Sequence, residues 1–224
     1  MQSTKQSIFS AVVLLAIGGL AGTASADFYG GIDFPQGQSS FADKVIRYDP
    51  TYNGNLPPTP PHQTPEKALD IPDSGICSLG FGGLLELRFV DNVLTNSGDN
   101  GLDLYVFEVG ADVEATLLAI RPTPATALLL GNSFDANGDG FYEIGEVQGS
   151  TSGIDIDAIF GPALAGTYMF DAVQLVDNDF NSAAGGTHGA DIDAVGAIAS
   201  APPVPEPASL GLLGLAGLVL IRRR

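Results

Sequence analysis

The chain has 224 residues, with 26 acids against nine lysines and arginines, a net charge of −17, a single cysteine and no tryptophan. So acidic a surface repels nucleic acid and anionic membrane, which excludes a binder of phosphate backbones. One cysteine excludes an intrachain disulfide, and Cys77 reads as a small apolar packing residue.

Residues 1–26 carry Lys5, an apolar stretch at 8–20 and the small residues Ala24-Ser25-Ala26. This is the charged, apolar and cleavable sequence of a secretory signal peptide, with Ala24 and Ala26 as the cleavage-site residues and Asp27 as the first mature residue. Export of the rest follows. The body, residues 27–200, is long enough for one domain with its own core. It holds every acid except Glu206 against five bases, Lys44, Arg47, Lys67, Arg88 and Arg121, and so carries about −20. Such a surface suits calcium, which takes oxygen ligands.

Residues 50–72 contain seven prolines, too many for a helix or a central strand. They read as a long surface loop with one short turn near 66–69. Beyond it the pattern alternates at period two. In residues 84–90 Leu85, Leu87 and Phe89 share one face, with Glu86 and Arg88 on the other. Residues 102–109 are apolar on both faces, as an interior strand is. Strands are further expected over 115–120, 125–134, 141–147, 167–177 and 191–199. Turn signals stand at 96–101, 121–124, 137–140 and 178–189. Many short strands without long helices between them predict an all-β fold, an antiparallel β-sandwich.

Two stretches of the body could bind a cation. Residues 135–146, Asp-Ala-Asn-Gly-Asp-Gly-Phe-Tyr-Glu-Ile-Gly-Glu, match a twelve-residue calcium loop. Asp135, Asn137 and Asp139 would offer side-chain oxygens, Phe141 its carbonyl and Glu146 a bidentate carboxylate, with Gly140 at the sharp turn. Strand and loop are expected on either side, so a plain hairpin turning at 137–140 is the alternative. The second stretch is the repeated Asp-Ile-Asp of Asp155 and Asp157 and of Asp191 and Asp193. On a strand each pair would place two carboxylates on one face, ~7 Å apart, with the isoleucine turned to the core. They would either hold a cation together with Asp103 or Glu108, or form a solvated outer face.

No catalytic residue is expected. His62 and His188 are the only histidines, and no nucleophile elbow or zinc spacing is present. Tyr29, Tyr48, Tyr52 and Tyr142 are the candidates for sugar stacking.

Residues 201–209 are a proline-rich linker containing Val204, Pro205, Glu206 and Pro207. Residues 210–224 are a short apolar run closed by Arg222, Arg223 and Arg224. The run 210–221 reaches ~18 Å as a helix, against a hydrocarbon core of ~30 Å, so it enters the inner membrane only transiently. The three arginines hold its end in the cytoplasm. Motif, short span and basic stop together resemble the PEP-CTERM sorting tail of Gram-negative bacteria. That resemblance implies an exosortase, a membrane-embedded cysteine transpeptidase, as the processing partner.

The body also has a family look. Phe41-Ala42-Asp43-Lys44-Val45, Lys67-Ala68-Leu69-Asp70-Ile71-Pro72-Asp73, Ser78-Leu79-Gly80-Phe81-Gly82-Gly83, Asp103-Leu104-Tyr105-Val106-Phe107-Glu108 and Gly189-Ala190-Asp191-Ile192-Asp193-Ala194-Val195 occur in that order. They resemble exported bacterial cell-surface domains that often carry such anchors. The segment 68–73 is similar to the early loop of galactose-binding-like β-sandwiches, with Asp70 where glycine is common. The resemblance implies no enzymatic activity. The expected protein is therefore a non-enzymatic cell-surface or extracellular-matrix protein, with calcium as its cofactor. The competing expectations are a carbohydrate-binding module for an extracellular polysaccharide and a glycan-processing enzyme.

Overall fold

Residues 26–110, 114–147, 151–178 and 186–203 are described in the computed structural model of the protein. Along the chain come β1 (Asp27–Tyr29), β2 (Ile32–Phe34), β3 (Lys44–Asp49), β4 (Cys77–Ser78), β5 (Leu84–Arg88), β6 (Val93–Thr95), β7 (Leu104–Glu108) and β8 (Thr116–Pro122). A short helix α1 (Pro124–Leu130) follows, then β9 (Tyr142–Val147), β10 (Thr151–Ile154) and a second helix α2 (Ile156–Phe160). The chain closes with β11 (Met169–Asp177), β12 (Asp191–Ala197) and β13 (Ser200–Ala201).

Period-two alternation builds the larger sheet. β11 lies at its centre, antiparallel to β8 along one edge and to β5 and then β6 along the other. β9 extends the sheet beyond β8, and β3 and β13 extend it beyond β5 and β6. The smaller sheet has the order β10-β7-β12-β4. The two sheets share one core. Leu85, Leu87, Leu118, Ile120, Val173 and Leu175 come from the larger sheet, and Leu104, Val106, Ile192, Val195 and Cys77 from the smaller. Each fully buried leucine or isoleucine there contributes ~1.5–3 kcal/mol. The architecture is an antiparallel β-sandwich, as the alternation predicts.

β7 is apolar on both faces because both are covered. Leu104 and Val106 enter the main core, while Phe107 packs with Phe34, Phe41 and Ala194 on the outer side. The β1–β2 hairpin supplies that lid. Phe34 and Phe41 lie with ring centroids 4.8 Å apart, and Tyr29 meets Phe41 edge-on at 5.1 Å.

The strand expected over 125–134 is instead α1. Thr123 is extended and its hydroxyl accepts from the Thr126 N–H at 3.4 Å, Pro124 occupies the first turn, and Gly131 at φ 70° ends the helix. The capping residue and the N-terminal proline outweigh the alternating pattern. A second departure concerns residues 155–157. Gly153 and Ile154 close β10, then Asp155 caps α2 by accepting from the Ala158 N–H, and Gly161 terminates it at φ 94°.

Residues 50–72 are irregular with one 3-10 turn at Pro65–Ala68. The segment is nonetheless fastened to the sandwich by backbone bonds from Asn53 N–H to Gly82, Thr59 N–H to Gly186, Ser78 N–H to His62 and Phe81 N–H to Leu56.

Candidate functional site

Three acidic constellations can be compared directly. The first gathers at one end of the sandwich. Asp103 stands just ahead of β7, Asp155 caps α2 and Asp157 lies in its first turn. One carboxylate oxygen from each falls within 4.8 Å of the others. Among the described residues no other group of three histidine, cysteine or acidic side chains is drawn together this closely. Asp103 accepts from the backbone N–H groups of Ser97 and Ile156, both at 2.7 Å. Asp157 accepts from the Asn96 amide at 2.9 Å and the N–H groups of Gly98 and Ala163 at 2.8 and 3.2 Å. Burial pushes the Asp103 carboxyl up from its ordinary value, against the pull of those N–H groups, and the Asp157 charge adds to the rise.

Sequence reasoning named Asp103 as a partner for the Asp-Ile-Asp pairs but placed Asp155 and Asp157 on a strand. The helix brings them there instead, with Ile156 fully buried in the core. Asn96 was not anticipated. Its side chain donates to Asp157 and Leu164 and accepts from the Tyr168 N–H, so it ties three segments at this end. A lone asparagine in a turn carries no signal of that role.

The second constellation is the loop 135–146. Its first part lies between α1 and β9 and its residues from Tyr142 on belong to β9, so it is neither a hairpin between strands nor a loop between two helices. Its side chains fold inward on its own backbone. Asp135 accepts from the N–H groups of Gly138 and Gly140, Asn137 from Asp139, and Asp139 from Phe141. Each of these oxygens keeps lone pairs for a further partner. Two anchors hold the loop on the outer face of the larger sheet. Phe141 packs on Ala119 and Ala172, and Gln174 donates to Asp139 at 3.0 Å. Glu146 departs from the calcium-loop pattern. It belongs to β9, opposite Leu117, and accepts from the Asn178 amide at 2.7 Å.

The third is the pair Asp191 and Asp193 on β12. A bulge between Ile192 and Ala194 separates their roles. Asp191 accepts from the Ser78 hydroxyl. Asp193 accepts from the N–H groups of Asp73 and Ser74, both at 3.2 Å, and so pins the loop ahead of β4. Both are buried, which replaces the solvated outer face expected for them. Burial raises both carboxyls, while their hydrogen bonds draw them back. Among the described residues they belong to no group of three ligating side chains within 4.8 Å of one another.

The four candidate tyrosines make separate contacts. Tyr29 packs in the hairpin lid, the Tyr48 hydroxyl donates to the Ser78 carbonyl, and Tyr142 is buried. Tyr52 is exposed but lies under the Arg47 guanidinium at 5.1 Å. His62 and His188 are both half-buried.

Comparison with known proteins bears on the C-terminus. Residues 203–224 match the PEP-CTERM protein-sorting motif. The match takes in Val204, Pro205, Glu206 and Pro207, the hydrophobic run and the arginines. The PEP-CTERM tail supports an exported, cell-surface-directed protein sorted by exosortase. No curated protein and no solved structure matches the chain. The sorting motif, Ala24 and the two hydrophobic stretches lie outside the described residues, whereas Ala26 is exposed immediately ahead of β1. Among the described residues no helix is long and apolar enough to cross a membrane.

Proposed function

We propose that the protein is a non-enzymatic surface protein, an acidic β-sandwich delivered by its signal peptide and processed at its PEP-CTERM tail. The match over residues 203–224 carries this reading. A signal sequence at the other terminus agrees with it in topology. The body supports a display role through its construction: the acids gathered at its loops cap backbone N–H groups and tie segments together. In this reading Pro205-Glu206-Pro207 is the element exosortase recognises, and the run 210–221 is inserted only in transit. Mass spectrometry of surface or secreted protein, from a strain with a working exosortase, is expected to find chains lacking Arg222, Arg223 and Arg224. Recovery of full-length chains alone would overturn the sorting reading. A glycan array on the exported protein is expected to show no binding, and a specific hit would favour a carbohydrate-binding module.

Calcium is the cation proposed for the loop 135–146. Asp135, Asn137 and Asp139 fit as side-chain donors, since their Asx turns already orient the oxygens. Glu146 does not complete the set, because Asn178 and the β9 ladder hold it. Three side-chain donors and a carbonyl leave several positions to water, so affinity falls in the extracellular range of about 10⁻⁴–10⁻³ M. Asp103, Asp155 and Asp157 are the second candidate set.

A further inference from the structure

A buried carboxyl outside all of these constellations stands at the end of β7. Glu108 is directly opposite Ile192 and follows Leu104 and Val106 on the inner face of the smaller sheet. It is 6 % exposed, and neither of its carboxylate oxygens reaches solvent or has a hydrogen-bond partner. A carboxyl in that position is costly when ionised and tolerable when neutral. Burial and the Asp191 charge both favour the neutral form. On β12 Asp191, the neighbour of Ile192, is 7 % exposed and held by the Ser78 hydroxyl, and its charge acts on Glu108. From β10, residues Thr151–Ile154, no titratable group faces it. From β4 come only Cys77 and Ser78. His62 in the proline-rich segment acts on Asp191 in the opposite sense.

We propose that Glu108, with Asp191 beside it, is an acid-locked latch on the smaller sheet: protonated it seals the β7–β12 end of the core, and ionised it loosens that end. Burial first and then the Asp191 charge push the Glu108 carboxyl from 4.5 up to about 7. The Asp191 N–H lies near enough to pull it partway back, without hydrogen-bond geometry. The direction follows from linkage. The folded state holds a proton that the unfolded or opened state releases, so the contribution is complete below 4.5. It is lost as pH rises to about 7, and it changes no further above that.

The test is denaturant unfolding of the full chain from pH 4 to 8, for wild type and Glu108→Gln. Other buried carboxyls titrate too, so the difference between the two proteins is the readout. Relative to Glu108→Gln, the wild-type folding equilibrium constant is expected to fall by up to about tenfold per pH unit between 4.5 and 7, then level off. A difference that does not vary with pH would overturn the latch. Hydrogen exchange reads the loosening itself. Amide protection in β7 and β12 is expected to drop over this range in wild type and much less in Glu108→Gln, and an equal drop in both would count against the proposal. Should Glu108→Gln fail to fold, carbon-13 NMR of the wild-type Glu108 carboxyl decides. A midpoint near 7 supports the latch, and one near 4.5 overturns it.

Discussion

At the scale of single residues, backbone conformation explains one odd choice. Asp70 has φ 63°, the left-handed region that glycine enters freely and aspartate enters with modest strain. The chain keeps that geometry with an aspartate. Asp70→Gly is therefore expected to leave stability unchanged or raise it by about 0.5 kcal/mol, whereas Asp70→Val should cost ~1–2 kcal/mol. Urea unfolding of the three proteins measures this, and a valine variant as stable as wild type would contradict it. Close backbone approach imposes a different demand at Gly54. A Cβ there would collide with the Phe81 carbonyl, so the proline-rich segment can dock onto the Gly80–Gly83 turn only with glycine at 54. Spacing alone does not announce that contact, because its two sides are 27 residues apart.

At the scale of elements, the acidic loop and the two short helices mark the places where local pattern misleads. Residues 125–134 alternate well enough to read as a strand, yet Thr123 and Pro124 start a helix that Gly131 stops. The Asp-Ile-Asp of 155–157 reads as a strand until Asp155 accepts from the Ala158 N–H and becomes a cap. The donor pattern of residues 135–146 was legible in the sequence, but the diversion of Glu146 to Asn178 was not, since it depends on where β11 ends. Calcium at millimolar concentration, against EDTA, is expected to raise the melting temperature of the wild-type chain. At one to ten times the dissociation constant the gain is about 0.4–1.4 kcal/mol. Asp139→Ala should abolish the rise if the loop is the site. A rise that persists there and disappears in Asp157→Asn would move the cation to Asp103, Asp155 and Asp157. No rise in wild type would leave both sets as hydrogen-bond acceptors of the loops.

At the scale of the whole molecule, charge and core pull in opposite directions. The sandwich buries a continuous core shared by both sheets, while its body carries about −20. Ion pairs offset little of that: Asp171 takes Arg121 at 2.7 Å and Arg88 at 3.3 Å, and Arg47 takes Asp49 at 2.9 Å. Much of the acid content is instead spent on capping backbone N–H groups, as in Asp103, Asp157 and Asp193. The remaining repulsion is long-ranged and screened by salt. Raising sodium chloride from 10 to 150 mM is expected to stabilise the chain by on the order of 1 kcal/mol, ~2–4 °C in melting temperature. Thermal melts in the two buffers, without divalent cations, check this, and an unchanged midpoint would mean that local hydrogen bonding has neutralised the repulsion.

The sequence by itself determined the sorting tail, the β-sandwich class and most of its strands. These depend on properties local in the chain: a run of apolar residues beside a charge, a motif, an alternation at period two. β7 could be placed in the interior because its two apolar faces both need cover, and the proline-rich segment could be read as irregular because proline donates no hydrogen bond. Only the tertiary structure decided which acids meet. Asp103 meets Asp155 and Asp157 because a helix cap turns the chain at the end of β10. Asp191 stands beside Glu108, and apart from Asp193, because β12 pairs with β7 through a bulge. Pairing partner and register are set by the burial of whole faces, a property of two distant strands together, so no local reading of either stretch contains them.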